Sequence, residues 1–141
     1  MNAAEAKEWL SRGFWLRQEK EQIIRMRGEL LERLTNCTQD LTGVNVSGTK
    51  DPHKFDAIAD LDGKLMEREA QIDRIRLEIY TVIRGVQDVR LRMILMARYC
   101  EYMSWPEIQT LVRCTERHVF RLHGEALQQV APLIEIKTGC R

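Results

Sequence analysis

Proline is scarce in this sequence, with three in 141 residues, and glycine (eight) and the aromatics (three each of Phe, Trp and Tyr) are little more frequent. That shortage excludes an all-β sandwich, which needs a turn every few residues. No apolar run approaches the ~20 residues of a membrane span. The N-terminal stretch alternates acid and base (Glu5, Lys7, Glu8, Arg12) and has no apolar core of a signal peptide. The four cysteines, Cys37, Cys100, Cys114 and Cys140, include no Cys-x-x-Cys pair. Cys100, Cys114, His118 and His123 come nearest to a metal set, but the thirteen residues between its cysteines do not fit a zinc knuckle. A soluble, cytoplasmic protein with incidental or buried thiols, no metal and no cofactor is the expectation.

Charge, by contrast, is plentiful: 22 basic and 21 acidic residues, a proportion normal for long exposed helices. It is unevenly placed. Between Arg84 and His123 stand seven arginines (Arg84, Arg90, Arg92, Arg98, Arg113, Arg117, Arg121) against Asp88, Glu101, Glu107 and Glu116. A basic excess confined to one small module is what phosphate contact requires.

The apolar residues divide the chain. Over 3–34, Trp9, Leu16, Ile23 and Leu30 recur every seven residues, flanked by Leu10, Ile24, Leu31 and Leu34, which predicts one long amphipathic helix. Residues 35–53 lose the period and predict a long loop. Over 55–84 a cleaner heptad returns. Ile58, Leu65, Ile72, Ile79 and Val86 mark one seam position, and Leu61, Ile75 and Val82 the other, interrupted by Arg68. This is the coiled-coil pattern. An antiparallel hairpin of the two helices is expected over 1–86. Because helices of this length leave a second apolar edge uncovered, a homodimer built through them is favoured.

Beyond Gly85, shorter elements follow. Asp88 predicts an N-cap for a helix over 89–102. Ser104-Trp105-Pro106-Glu107 is a capping box with proline in the first turn, opening a helix that turns Ile108, Leu111 and Val112 inward. Thr115 caps a third helix, expected to end near Val130 before Pro132, leaving 132–141 as a tail. The short step over Arg113 and Cys114, followed by a capping hydroxyl and an apolar residue one turn on, has the metric of a helix-turn-helix over 87–131. At about 100° per residue, Val119, Leu122 and Ala126 face Ile108, Leu111 and Trp105. Arg117, Arg121, Gly124 and Gln128 then lie outward, with His118 and Phe120 at the flanks. Arginines early in such a helix suit the major groove, where a guanidinium pairs with guanine O6 and N7. Arg113 and Thr115 are placed to meet phosphates.

Catalysis has no comparable support. His53, His118 and His123 are scattered, Asp60 and Asp62 belong to the charged face of the heptad helix, and no phosphate loop or nucleophile elbow occurs, so no enzyme is expected. His123 falls toward the buried side of its helix and reads as a packed histidine.

On Arg98-Tyr99, Ser104-Trp105-Pro106-Glu107-Ile108, Leu111-Val112, Thr115, Val119 and Arg121-Leu122-His123-Gly124-Glu125-Ala126-Leu127, the stretch from Asp88 to Val130 resembles the region-4 helix-turn-helix of bacterial sigma-70 factors. The chain as a whole is similar to small phage- and prophage-encoded transcription regulators, the late-gene activators of Gram-positive bacteria. The resemblance implies sequence-specific binding of double-stranded DNA, with recognition carried by Arg117, His118 and Arg121. It also implies contact with the host RNA polymerase, and neither a membrane nor a small-molecule substrate. Arg113 stands where that family usually has glycine, so left-handed backbone is expected there. Two other readings share the architecture: a packaging protein like the phage small terminase subunits, and an adaptor that docks polymerase or sigma rather than DNA.

Overall fold

The structure is a computed structural model that describes residues 1–39 and 52–139. Among them it is all-α, with six helices and no strand: α1 (Ala3–Leu10), α2 (Arg12–Gln39), α3 (Pro52–Ile83), α4 (Val89–Tyr99), α5 (Trp105–Val112) and α6 (Glu116–Thr138). No helix among the described residues is long and apolar enough to cross a membrane. The chain divides into two compact units, residues 16–71 and residues 1–15 with 72–141. That division differs from the expected boundary at 86, since both the N-terminal turns and the end of α3 belong with the C-terminal helices.

In the unit of residues 16–71, α2 and α3 run antiparallel. Glu19 meets Arg68 at 2.8 Å, Lys20 meets Glu69 at 2.8 Å, and Arg27 pairs with Asp62, so partners descend α3 as they climb α2. Lys20 holds the Glu69 carboxyl below its ordinary range. The heptad seam carries the pairing: Ile58 and Leu61 are buried, and Leu16, Ile23, Leu30, Leu31, Leu34 and Leu65 are half-buried. Arg68, the charge that interrupts the seam, is half-buried, and its guanidinium donates to Glu19 on one side and to Gln71 on the other. Ile24, expected in the stripe, is instead 47% exposed.

Both ends of the loop expected over 35–53 are helical. Helix α2 runs to Gln39, with the Thr35 hydroxyl satisfied on the Leu31 carbonyl, and α3 opens with Pro52 at its first position. The remainder, 40–51, lies outside the described residues.

The other unit holds a continuous core: Leu10, Ile79, Ile83, Val86, Leu91, Ile94, Leu95, Ile108, Val119, Val130 and Ile134 are each at most 2% exposed. Its geometry overrides the one-helix reading of 3–34. The chain breaks at Ser11, whose hydroxyl donates to the Lys7 carbonyl at 2.7 Å and whose N–H serves Lys7 and Glu8. A serine and a glycine two residues apart are a weak point in a helix. Here the break lets α1 bury Ala6 and Leu10 against α6, and Gly13 passes so close to the Tyr102 hydroxyl that a side chain there would overlap it.

The far end of α6 is the second correction. Pro132 does not end the helix, which continues to Thr138 and is closed by Gly139 in the left-handed conformation (φ 68°). Proline removes one intrahelical hydrogen bond, and its ring sits on the exposed side. Burial of Ala131 and Ile134, with Leu133 packed over the turn at Gly85, outweighs that loss. Residues 132–138, expected as tail, therefore continue α6, and Ile134 and Leu133 among them join the core.

Candidate nucleic-acid interface

Three caps set the C-terminal helices in place. The Asp88 carboxylate accepts from the Arg90 N–H at 2.8 Å and opens α4, which ends at Tyr99, three residues short of the expected limit. The reciprocal capping box of Ser104 and Glu107 opens α5, with Pro106 in its first turn. Thr115 opens α6 by accepting from the His118 N–H. Between α5 and α6 lie residues 113–115 alone. Arg113 has φ 54° and ψ 46°, the left-handed cap anticipated for it, and the Gln109 carbonyl takes both its N–H and that of Cys114.

A left-handed arginine costs about 1 kcal/mol relative to glycine at the same position. Arg113→Gly is therefore expected to stabilise the fold by about that amount while removing a cation from the candidate interface. Denaturant melting checks it, and an unchanged or lower midpoint would count against the turn geometry.

The three helices meet on a polar and aromatic cluster. The Tyr99 hydroxyl and His123 Nε2 share a hydrogen bond at 2.7 Å, and the Trp105 ring stands edge-on to His123 with centroids 4.8 Å apart. Arg98 lies over the Trp105 ring at 4.6 Å and donates to the Met103 carbonyl, tying the end of α4 to the start of α5. Burial lowers the pKa of His123 to about 4, with further lowering from Lys7 and Arg98, so the ring is neutral near pH 7. Burial also pushes the Tyr99 hydroxyl upward and the Cys100 thiol to about 11. His123 thus fills the packed role read for it. Neither Cys100 nor Cys114 is in a disulfide.

On α6, Val119, Leu122 and Ala126 are buried, and Arg117, Arg121 and Gln128 are exposed, as the helical count anticipated. The Arg121 guanidinium donates to His118 Nδ1 at 3.0 Å. Arginine has no acceptor, so while that bond stands neutral His118 carries its proton on Nε2, a free donor beside the arginines. Phe120, 43% exposed, leans edge-on against Trp105 at 5.0 Å. Arg113, Thr115, Arg117 and Arg121 are all solvent-exposed and His118 half-buried, gathered at the start of one helix and the turn before it. A helix N-terminus favours anions, and the arginines reinforce it.

Leu111 is the exception to the inward set. It is 43% exposed and, with Tyr80, Met93 and Met96, lines a groove of about 460 Å³. An eight-residue helix has room for one narrow apolar face, and Ile108 takes its centre. The stacking of Arg98 on Trp105 had no signal in the spacing of the sequence. Comparison with family models, curated proteins and solved structures returns no match.

Proposed function

We propose that this chain is a sequence-specific double-stranded DNA-binding transcription regulator of the phage and prophage kind, acting in the bacterial cytoplasm without catalysis or cofactor. Helix α6 lies in the major groove, Arg117 and Arg121 read base edges with His118 beside them, and Arg113 and Thr115 meet the phosphate backbone. One observation carries the reading: the α6 face opposite Val119, Leu122 and Ala126 is exposed and cationic at its first two turns, just beyond a three-residue turn. A groove-reading helix needs that arrangement, and a helix that only completes a core does not.

The protein acts as a homodimer through its long helices, for which Met26, Phe55 and Met66, each more than half exposed in the unit of residues 16–71, supply uncovered apolar surface. RNA polymerase is the second partner in this proposal, on the resemblance to sigma region 4. Selection of bound duplexes from a random-sequence library tests the reading. The expected product is a pair of half-sites about one helical turn, ~34 Å, apart or a multiple of that, bound with an affinity that falls steeply with salt. Failure to enrich any sequence would overturn it, and a ring of many chains in solution would favour the packaging reading instead.

A further inference from the structure

Gly124 is a position on α6 that the fold does not explain. It lies inside the helix with ordinary backbone angles, where glycine is less favourable than alanine. A Cβ added there meets no atom within 4 Å. Gly13 and Gly85 are different, since Tyr102 and Leu133 crowd them. Gly28 and Gly63 are equally open, but Gly124 falls in the row of Arg117, Arg121 and Gln128, seven residues after the first arginine and three after the second. Among the described residues nothing crowds a side chain at Gly124, and the row it shares lies opposite Val119, Leu122 and Ala126.

The distances fit a duplex. Seven residues at ~1.5 Å each put Gly124 about 10 Å along α6 from Arg117, and the major groove is about 12 Å wide. A helix whose first turn reaches the groove floor therefore meets the groove wall, the sugar–phosphate strand, near Gly124. Without a Cβ the strand approaches closer by about the thickness of a methyl group, which is the common use of glycine where another backbone comes near.

We infer that Gly124 is where α6 takes the sugar–phosphate strand of the bound duplex against its bare backbone, with Gln128 one turn further on donating its side-chain amide to a phosphate of that strand. The inference rests on the DNA-binding reading and adds the residue that sets docking depth. The full chain and its Gly124→Ala, Gly124→Leu and Gln128→Ala variants are compared on the duplex that the wild type selects from the random-sequence library. Gly124→Ala should raise the thermal midpoint and still weaken binding about tenfold, Gly124→Leu should weaken it further, and Gln128→Ala should weaken binding while leaving the salt slope unchanged, because a neutral amide releases no counterion. A Gly124→Ala protein that binds as tightly as the wild type overturns the inference and leaves the DNA reading standing. So does a lower thermal midpoint, which would expose an internal need for glycine. A wild type that retains no duplex overturns the DNA reading and this inference with it.

Discussion

Acidification from pH 7 to pH 4 should cost the folded protein about 3 kcal/mol through His123 alone, the free-energy equivalent of a pKa lowered from 6.5 to about 4. The lowering comes first from burial beside Tyr99 and Trp105, then from Lys7 and Arg98. Between those two values the unfolded chain binds a proton that the folded chain refuses, so stability is complete above about 6.5 and drains away as pH falls toward 4. Below that the contribution is flat. His123→Gln keeps a polar partner for the Tyr99 hydroxyl and removes the titration. The variant should be less stable at pH 7, and its pH profile should lack the wild-type decline between 6.5 and 4.5. Denaturant unfolding across that range, read as the difference between the two proteins, cancels every group other than His123. Parallel profiles would show that His123 is not held neutral in the core.

Local chemistry in this chain was legible and distant packing was not. Asp88, Ser104 with Glu107, and Thr115 each announce a helix start, because a side-chain oxygen two or three residues from an orphan N–H needs no information from elsewhere. The heptads of α2 and α3 marked the apolar seam without deciding between a hairpin and a pairing with another chain, and the helical count separated Val119, Leu122 and Ala126 from Arg117 and Arg121. The break at Ser11 escaped because Trp9 and Leu16 keep the seven-residue step across it, and only the docking of α1 on α6 decides where the helix divides. Pro132 misled for the opposite reason. Its usual effect is local, and the burial of Ile134 that overcomes it is contributed by elements far away in sequence. Leu111 fits the inward period of α5 but finds its neighbours on α3 and α4, beyond the reach of periodicity. Of the interface, the exposed row and the strained turn at Arg113 were readable. The bond from Arg121 to His118 and the open space at Gly124 were not, since both depend on placed side chains.

Replacing Arg117 and Arg121 together by alanine should leave the fold alone and remove most of the DNA affinity. Both side chains are exposed, neither forms a salt bridge among the described residues, and the bond from Arg121 to His118 is itself exposed, so stability should stay within about 0.5 kcal/mol of wild type. Each well-placed guanidinium on guanine is worth about 1–3 kcal/mol of discrimination, so the pair should cost about a hundredfold or more on the selected duplex. Fewer counterions would be released, and the salt dependence of binding should flatten with the loss of affinity. Fluorescence anisotropy of the labelled duplex against both proteins, over a range of salt and alongside their thermal melts, reads all three quantities. A variant that melts like the wild type and binds much more weakly, with a shallower salt slope, is the predicted result. One that melts like the wild type and binds the duplex equally well would contradict the placement of α6 in the groove.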